Sequence, residues 1–174
     1  MKYKLKEVIL DFKEFSFSNF DSNNGTIVNF KYKNDLLEFQ TPKVFIEELV
    51  KENGKEFIIL KIIGTEACKI FCSKLNQIEN FFNDSFKNHK SWFNDKLDEI
   101  HNIRSIFNED LFKVKIPFKY SNPLIKVYKD DSPYNYYHLS KGMEIICLLN
   151  LDKIWINNYN ESSYNLNVKE IMVL

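Results

Sequence analysis

Hydrophobic and polar positions alternate with a period of two over most of the chain, and with a period of three to four over one stretch in its middle. The clearest alternation is Leu111–Lys129. Phe112, Val114, Ile116 and Phe118 fall on one face, while Lys113, Lys115 and Lys119 share the other with Pro117. Tyr120-Ser121-Asn122-Pro123 is a turn signal, and the return run sets Lys126 and Tyr128 on one face against Ile125 and Val127 on the other. The pattern predicts a hairpin with an apolar back and a basic, aromatic front.

Other elements follow in order. Val8–Phe20 is rich in Phe and reads as a strand or two, closed by the turn Asp21-Ser22-Asn23-Asn24-Gly25. Thr26–Tyr32 and Leu36–Thr41, separated by Lys33-Asn34-Asp35, predict a hairpin ended by Pro42. Lys43–Asn53 fits either a strand or a short helix. Asn53-Gly54-Lys55 is a turn, and Phe57–Ile63 is an almost unbroken apolar run suited to a central strand. From Thr65 onward the period changes: Ile70, Phe71, Leu75, Ile78, Phe81, Phe82 and Phe86 predict a helix over Glu66–Lys87 with Thr65 as its N-cap. A shorter helix carrying Trp92, Phe93, Leu97 and Ile100 is expected from Ser91. Strands return at Met143–Leu149, Lys153–Asn157 and Asn165–Val173. The succession predicts one α+β domain of short antiparallel strands with helices inserted in the middle.

The composition narrows the function. At 174 residues, 44% hydrophobic and 28% charged, the chain can bury a substantial core. Lys and Arg together number 24, as do Asp and Glu, so the net charge is zero and any basic surface must be local. Arg104 is the one arginine. The excess of Lys, Asn, Ile, Phe and Tyr matches an AT-rich coding sequence, so no single Lys or Tyr stands out by composition alone. Three cysteines make no disulfide framework, and neither a secretion signal nor a membrane-length apolar run is present, which predicts an intracellular protein.

Catalytic signatures are missing. There is no GxGxxG, GxxxxGK[ST], GxSxG or HExxH. His89, His101 and His138 each lie in a polar context and read as surface residues. Cys68 and Cys72 lie one helical turn apart without the further ligands that a metal needs, and Cys147 sits in an apolar strand. Asp130-Asp131 and Glu47-Glu48 are adjacent pairs whose side chains point apart in extended backbone. No enzyme, metal site or cofactor is expected.

Single-strand binders need lysines for phosphates and exposed rings for bases. Four places fit. Asn29 and Lys31 share one face of their strand, with Phe30 and Tyr32 on the other. The Leu111–Lys129 front carries Lys113, Lys115, Lys126 and Tyr128. Trp155 lies on the side of Lys153 and Asn157, as a stacking platform or as the lid of a neighbouring core. At Trp92-Phe93 two adjacent rings begin a helix, and one is either exposed or covers an adjoining strand.

The order of these pieces resembles the single-stranded-DNA-binding proteins of nucleocytoplasmic large DNA viruses. The matching segments are Leu37-Glu38-Phe39-Gln40-Thr41-Pro42-Lys43, a helical middle followed by Ser91-Trp92-Phe93, Phe112–Pro117, Lys141-Gly142 before an apolar strand, Ile154-Trp155-Ile156, and a last strand, Tyr164–Val173. With the strand and turn that lead into Leu37, they span roughly residues 26–174. One departure is the loop Asn157–Ser163, which lacks the glycine the family leads one to expect. The resemblance implies an OB-like antiparallel β-barrel with one long and one short helix inserted mid-chain. Residues 1–174 would form a single nucleic-acid-binding domain, with 1–25 as an N-terminal extension strand. It further implies binding of single-stranded DNA with little sequence preference, in viral DNA replication, recombination or repair, inside the host cytoplasm or nucleus. Lys31, Lys43, Lys113, Lys115 and Lys126 would contact phosphates, and Phe30, Tyr32, Trp92, Tyr128 and Trp155 would stack on bases. The expected partners are single-stranded DNA and replication proteins, with no membrane and no cofactor. The alternative is a β-rich viral interaction or virion protein that binds another protein.

Overall fold

The computed structural model of the chain describes residues 2–4, 10–93 and 101–174. The period-two runs before the helix form β1 (Lys2–Lys4), β2 (Phe15–Ser22), β3 (Gly25–Tyr32), β4 (Leu37–Gln40), β5 (Val44–Glu52) and β6 (Lys55–Ile62). Helix α1 spans Glu66–Asn88. After it come β7 (Phe107–Asn108), β8 (Leu111–Ile116), β9 (Phe118–Lys119), β10 (Asn122–Pro123), β11 (Lys126–Lys129), β12 (Ser132–Pro133), β13 (Glu144–Leu151), β14 (Lys153–Asn157), β15 (Ser162–Tyr164) and β16 (Leu166–Val173).

Five of these strands close a barrel. β5 pairs with β6 and β6 with β8, both antiparallel. β8 runs parallel to β16, with Val114 opposite Leu166. β16 is antiparallel to β13, and β13 returns to β5 with Ile145 opposite Val44. Numbered by position in the chain, the ring reads 1-2-3-5-4-1, the connectivity of an OB-type barrel. Strand alternation fills it: Ile58, Leu60, Val114 and Ile145 point inward and are fully buried. A register shift between Ile46 and Glu48 makes Glu47 an extra residue in β5, and such a bulge bends the first strand so that it reaches both neighbours.

A second sheet lies outside the ring, in the order β15-β14-β3-β2. Helix α1 fills the space between the two. The Thr65 side chain caps it by accepting from the Cys68 N–H at 3.3 Å, as the sequence predicts. On the barrel side Phe71 meets Phe39 and Phe112, with ring centroids 6.1 and 5.7 Å away. On the sheet side Phe82 meets Phe30 at 5.1 Å and Tyr164 at 5.9 Å. Phe81 adds contacts to Phe12, Phe15 and Phe17. Cys68 and Cys147 are buried, as a helix face and an apolar strand require.

Four expectations change. Lys43–Asn53 resolves as strand β5. The Thr26–Tyr32/Leu36–Thr41 hairpin does not form a ladder: Lys33 and Asn34 make a left-handed turn, but only Tyr32 and Asp35 bridge across it. β3 then pairs with β2 and β14, whereas β4 joins β13 in the other sheet, because each strand has a buried side to satisfy in a different layer. The long Leu111–Lys129 hairpin also dissolves. β8 and β11 both run parallel to β16, so they point the same way, and the turn closes only the small β9–β10 hairpin. The helix expected from Ser91 is a 3-10 turn over Lys90–Trp92; Leu97 and Ile100 lie outside the described residues. Of the N-terminal 25 residues, β1 pairs with β4 and β2 edges the second sheet, while 5–9, which include the first two residues of the Phe-rich Val8–Phe20, lie outside the described residues.

Gly25 is where the second sheet closes on itself. Its φ is +126°, and a Cβ there would sit 2.0 Å from the Ile156 carbonyl oxygen. Both backbone conformation and space therefore demand glycine. Gly25→Ala is expected to destabilise the fold by more than about 1 kcal/mol, seen as a lowered thermal midpoint; an unchanged midpoint would show that β3 and β14 can separate without cost.

Candidate nucleic-acid interface

The connection between the fourth and fifth barrel strands, residues 152–165, carries β14 and β15 and forms the rim of the candidate site. On β14, Ile154 and Ile156 turn inward to the core, so Trp155 must turn outward, where it is 40% exposed. Lys153, two residues earlier on the same face, places its Nζ 5.6 Å from the Trp155 ring centroid. Across the ladder, Trp155 is opposite Ile27, and Ile27 is opposite Phe20, itself 49% exposed. The outer face of the second sheet thus presents Phe20 and Trp155 on either side of Ile27, with Asn29 and Lys31 continuing along β3 on that face.

Two adjoining grooves run from this rim, the first starting at Trp155. One, about 420 Å³, is lined by Trp155, Asn157, His101 and Arg104. The other, about 710 Å³, is lined by Arg104, Phe107, Ile59 and Lys113. They share Arg104 and Ser163, so the path runs from Trp155 past the one arginine onto the outer face of β6 and β8. The helix sets the position of Arg104: the Asn83 side-chain oxygen accepts from the Ile103 N–H at 2.7 Å, and Glu79 Oε1 accepts from the Ile106 N–H at 3.2 Å. On the other side the Arg104 N–H donates to the Ser162 carbonyl at 2.9 Å. Glu79 Oε1 also accepts from the Tyr164 hydroxyl at 2.6 Å, and burial beside that carboxylate pushes the Tyr164 pKa well up.

On β6 and β8, the residues opposite in phase to the buried ones face out: Lys55, Phe57 and Ile59, then Lys113 and Lys115. Lys113 lies 4.3 Å from the Phe57 ring centroid and pairs with Glu52. Burial holds the Lys115 pKa below the ordinary lysine value, and repulsion from Lys55 and Lys153 lowers it further. Lys115 therefore ties the barrel face to the Trp155 rim. In OB folds this outer face of strands two and three, with the 1–2 and 4–5 connections, is where oligonucleotides bind.

The structure redistributes the sequence-predicted residues. Trp155 and Lys113 each line a groove of the site, Lys115 lies close enough to Lys55 and Lys153 to feel their charge, and Lys31 lies farther along β3 on the Trp155 face. Phe30, Tyr32 and Trp92 are corrected: all three are almost wholly buried and present no ring to a base. Phe30 and Tyr32 face inward from β3, where Phe82 and Phe15 pack on them. Trp92 packs among Phe17, Phe86 and His89, and its neighbour Phe93 stacks on His101 at 4.0 Å, because the 3-10 turn lets both rings point inward. Lys43 is elsewhere, paired with Glu144 at 3.8 Å. Lys126 and half-buried Tyr128 face out from β11, opposite Glu170 and Met172. The glycine missing from the Asn157–Ser163 loop is replaced by Asn160, which takes φ +62° itself.

Phe20, Lys55, Phe57 and Arg104 are not among the contact residues expected from the sequence, and Lys153 enters there only as the neighbour of Trp155. Phe20 is legible in retrospect: Phe15 and Phe17 share one parity and Phe20 has the other. Arg104 stands in an irregular segment, where no period signals which way it points.

The fold has known counterparts. The single-stranded DNA binding protein gp2.5 of bacteriophage T7 superposes with a TM-score of 0.55 at 12% identity, over 79% of this chain and 91% of that one. The single-stranded DNA-binding protein of bacteriophage Enc34 superposes with a TM-score of 0.50 at 10% identity, over 91% of this chain and 89% of that one. No protein-family model and no curated protein sequence matches the chain. The two structures establish the architecture: an OB-type barrel shared at identities where sequence comparison is silent.

Glu79 is central to this arrangement. Glu79→Ala strands a buried hydroxyl and a backbone N–H, so a loss of about 1–3 kcal/mol of folding stability is expected. Denaturant titration measures it; a loss within error would show that the 101–107 segment does not depend on the helix.

Proposed function

We propose that this chain binds single-stranded DNA, largely without sequence preference, on the surface from Trp155 across Arg104 and Lys115 to Lys55 and Phe57. The observation that carries this reading is Trp155. It is a large ring held outward by the inward packing of Ile154 and Ile156, with a lysine beside it and an arginine-lined groove at its edge. Bases stack on the exposed rings, and the cations neutralise phosphates. Arg104, Lys55, Lys115 and Lys153 make no ion pair among the described residues, so their charge is available. The phage proteins that share the fold are themselves single-stranded-DNA binders, and their kinship of form supports the same class of ligand here. The motif order resembling the large-DNA-virus family supports a role in copying, recombining or repairing viral DNA inside the host cell, with the chain acting as one binding unit.

Anisotropy of a labelled oligothymidine, titrated with salt, tests the reading. Four cations engaged at once predict a log–log slope of roughly −3, at about 0.7 per phosphate. Trp155→Ala is expected to weaken binding by the roughly 1–3 kcal/mol of one lost stack while leaving the fold intact. Absence of binding at low salt would sink the proposal and favour a protein-binding role.

Lys115 gives the site a pH signature. Its pKa is depressed in the free protein, and a phosphate alongside would raise it. Binding therefore takes up a proton in the window between the depressed value and that of a phosphate-paired lysine, and affinity falls as pH rises through that window. Calorimetry in buffers of different ionisation enthalpy should detect the uptake at alkaline pH, and Lys115→Gln should abolish it. Uptake that persists in the variant would assign the proton elsewhere.

A further inference from the structure

Beyond the barrel face, the β9–β10 hairpin presents a second set of exposed rings. Tyr120 at its tip is 87% exposed and Tyr137 beside it 64%. Tyr120 adopts φ +50° and Ser121 φ +66°, left-handed values that suit Gly or Asn and cost a tyrosine strain. That strain brings no burial in return. The turn is nevertheless braced: the Tyr137 hydroxyl donates to the Ser121 carbonyl at 3.1 Å, and the Tyr137 N–H donates to the Asn135 side chain at 3.0 Å. Tyr136 packs edge-on against Phe118 at 5.8 Å and against Tyr137 at 5.3 Å. Its hydroxyl donates to Glu56 at 3.1 Å, next to Lys55 at the end of the barrel face.

The hairpin itself is basic, with Asp130 and Asp131 held in the next turn. Between Pro117 and Tyr128 the charged residues are Lys119 and Lys126, and Ser132–Lys141 contains no acid. Lys119 holds its Nζ 5.5 Å from the Tyr120 ring centroid. A rigid, strained hairpin that offers a bare tyrosine with a lysine beside it suits a ligand with flat faces and negative charge.

We propose that the Phe118–Pro123 hairpin is a second stacking station for the same single strand, reached past Lys55, where one base stacks on Tyr120 and Lys119 meets its phosphate. This rests on the single-stranded-DNA reading above and extends it from a surface to a path. Short oligonucleotides occupy the Trp155–Lys115 surface, and longer ones gain the Tyr120 station.

The full chain is titrated with oligothymidines of increasing length, comparing the unaltered protein with Tyr120→Asn, Tyr120→Phe and Trp155→Ala. Asparagine accepts the left-handed turn, so the first variant removes the ring without unfolding the hairpin. Tyr120→Asn should bind the shortest bound oligonucleotide with unchanged affinity and the long ones about five-fold or more weakly, as one lost stack requires. Tyr120→Phe should follow the unaltered protein at every length, and Trp155→Ala should weaken binding at every length. If Tyr120→Asn matches the unaltered protein throughout while Trp155→Ala is impaired, the hairpin station falls and the barrel-face reading stands. Equal weakening by Tyr120→Asn at all lengths also overturns a separate station. Failure of the unaltered protein to bind any length at low salt overturns both.

Discussion

Phe82 touches Phe30 and Tyr164, both of the second sheet, while Phe71, three turns earlier on the same helix, reaches into the barrel. This row of helix rings binds the two sheets into one body. Each buried ring is worth roughly 1.5–3 kcal/mol of transfer energy, and the row recruits most of the Phe-rich segments of the chain. The outward residues of the site are fixed by the same contacts. Trp155 is outward because Ile154 and Ile156 are held inward, and Arg104 is held by Glu79 and Asn83 on the helix.

A chain of zero net charge can still carry a basic surface if several of its acids are engaged with other lysines. Lys43 pairs with Glu144, Lys61 with Asp110, Lys141 with Glu47 and Lys169 with Glu38. Apart from Lys169–Glu38, whose carboxylate is buried, these are exposed pairs that add little to stability. Their effect is on the field: they cancel charge around the molecule and leave Arg104, Lys55, Lys115 and Lys153 clustered on one side. The weakened basicity of Lys115 is the local sign of that crowding.

Much of the fold was legible in the sequence. Periodicity located α1, its cap, the apolar strand β6 and the alternation of β8, because these signals are local. Partnership was less legible. Both predicted hairpins read neighbouring strands as partners, whereas β3 and β4 separate into different layers and β16 comes between β8 and β11. The same gap explains the site residues. Strand parity correctly set Lys31 against Phe30 and Tyr32, but only the second sheet, packed on α1, decides which parity faces water. Trp155 was placed correctly because the isoleucines on both sides of it mark its inner face without reference to any partner.

The parallel pairing of β8 with β16 has a bearing on how the molecule comes to exist. β16 is the last of the barrel strands in chain order, yet it pairs with β8, β11 and β13, and the barrel is open until it arrives. Most of its partners lie tens of residues upstream, so the ring is sealed by contacts of long sequence separation, the kind that form slowly. The barrel face and its aromatic rim are consequently among the last surfaces to be completed. Synthesised from its N-terminal side, the chain carries its helix and its exposed rings ahead of the strand that closes the barrel behind them.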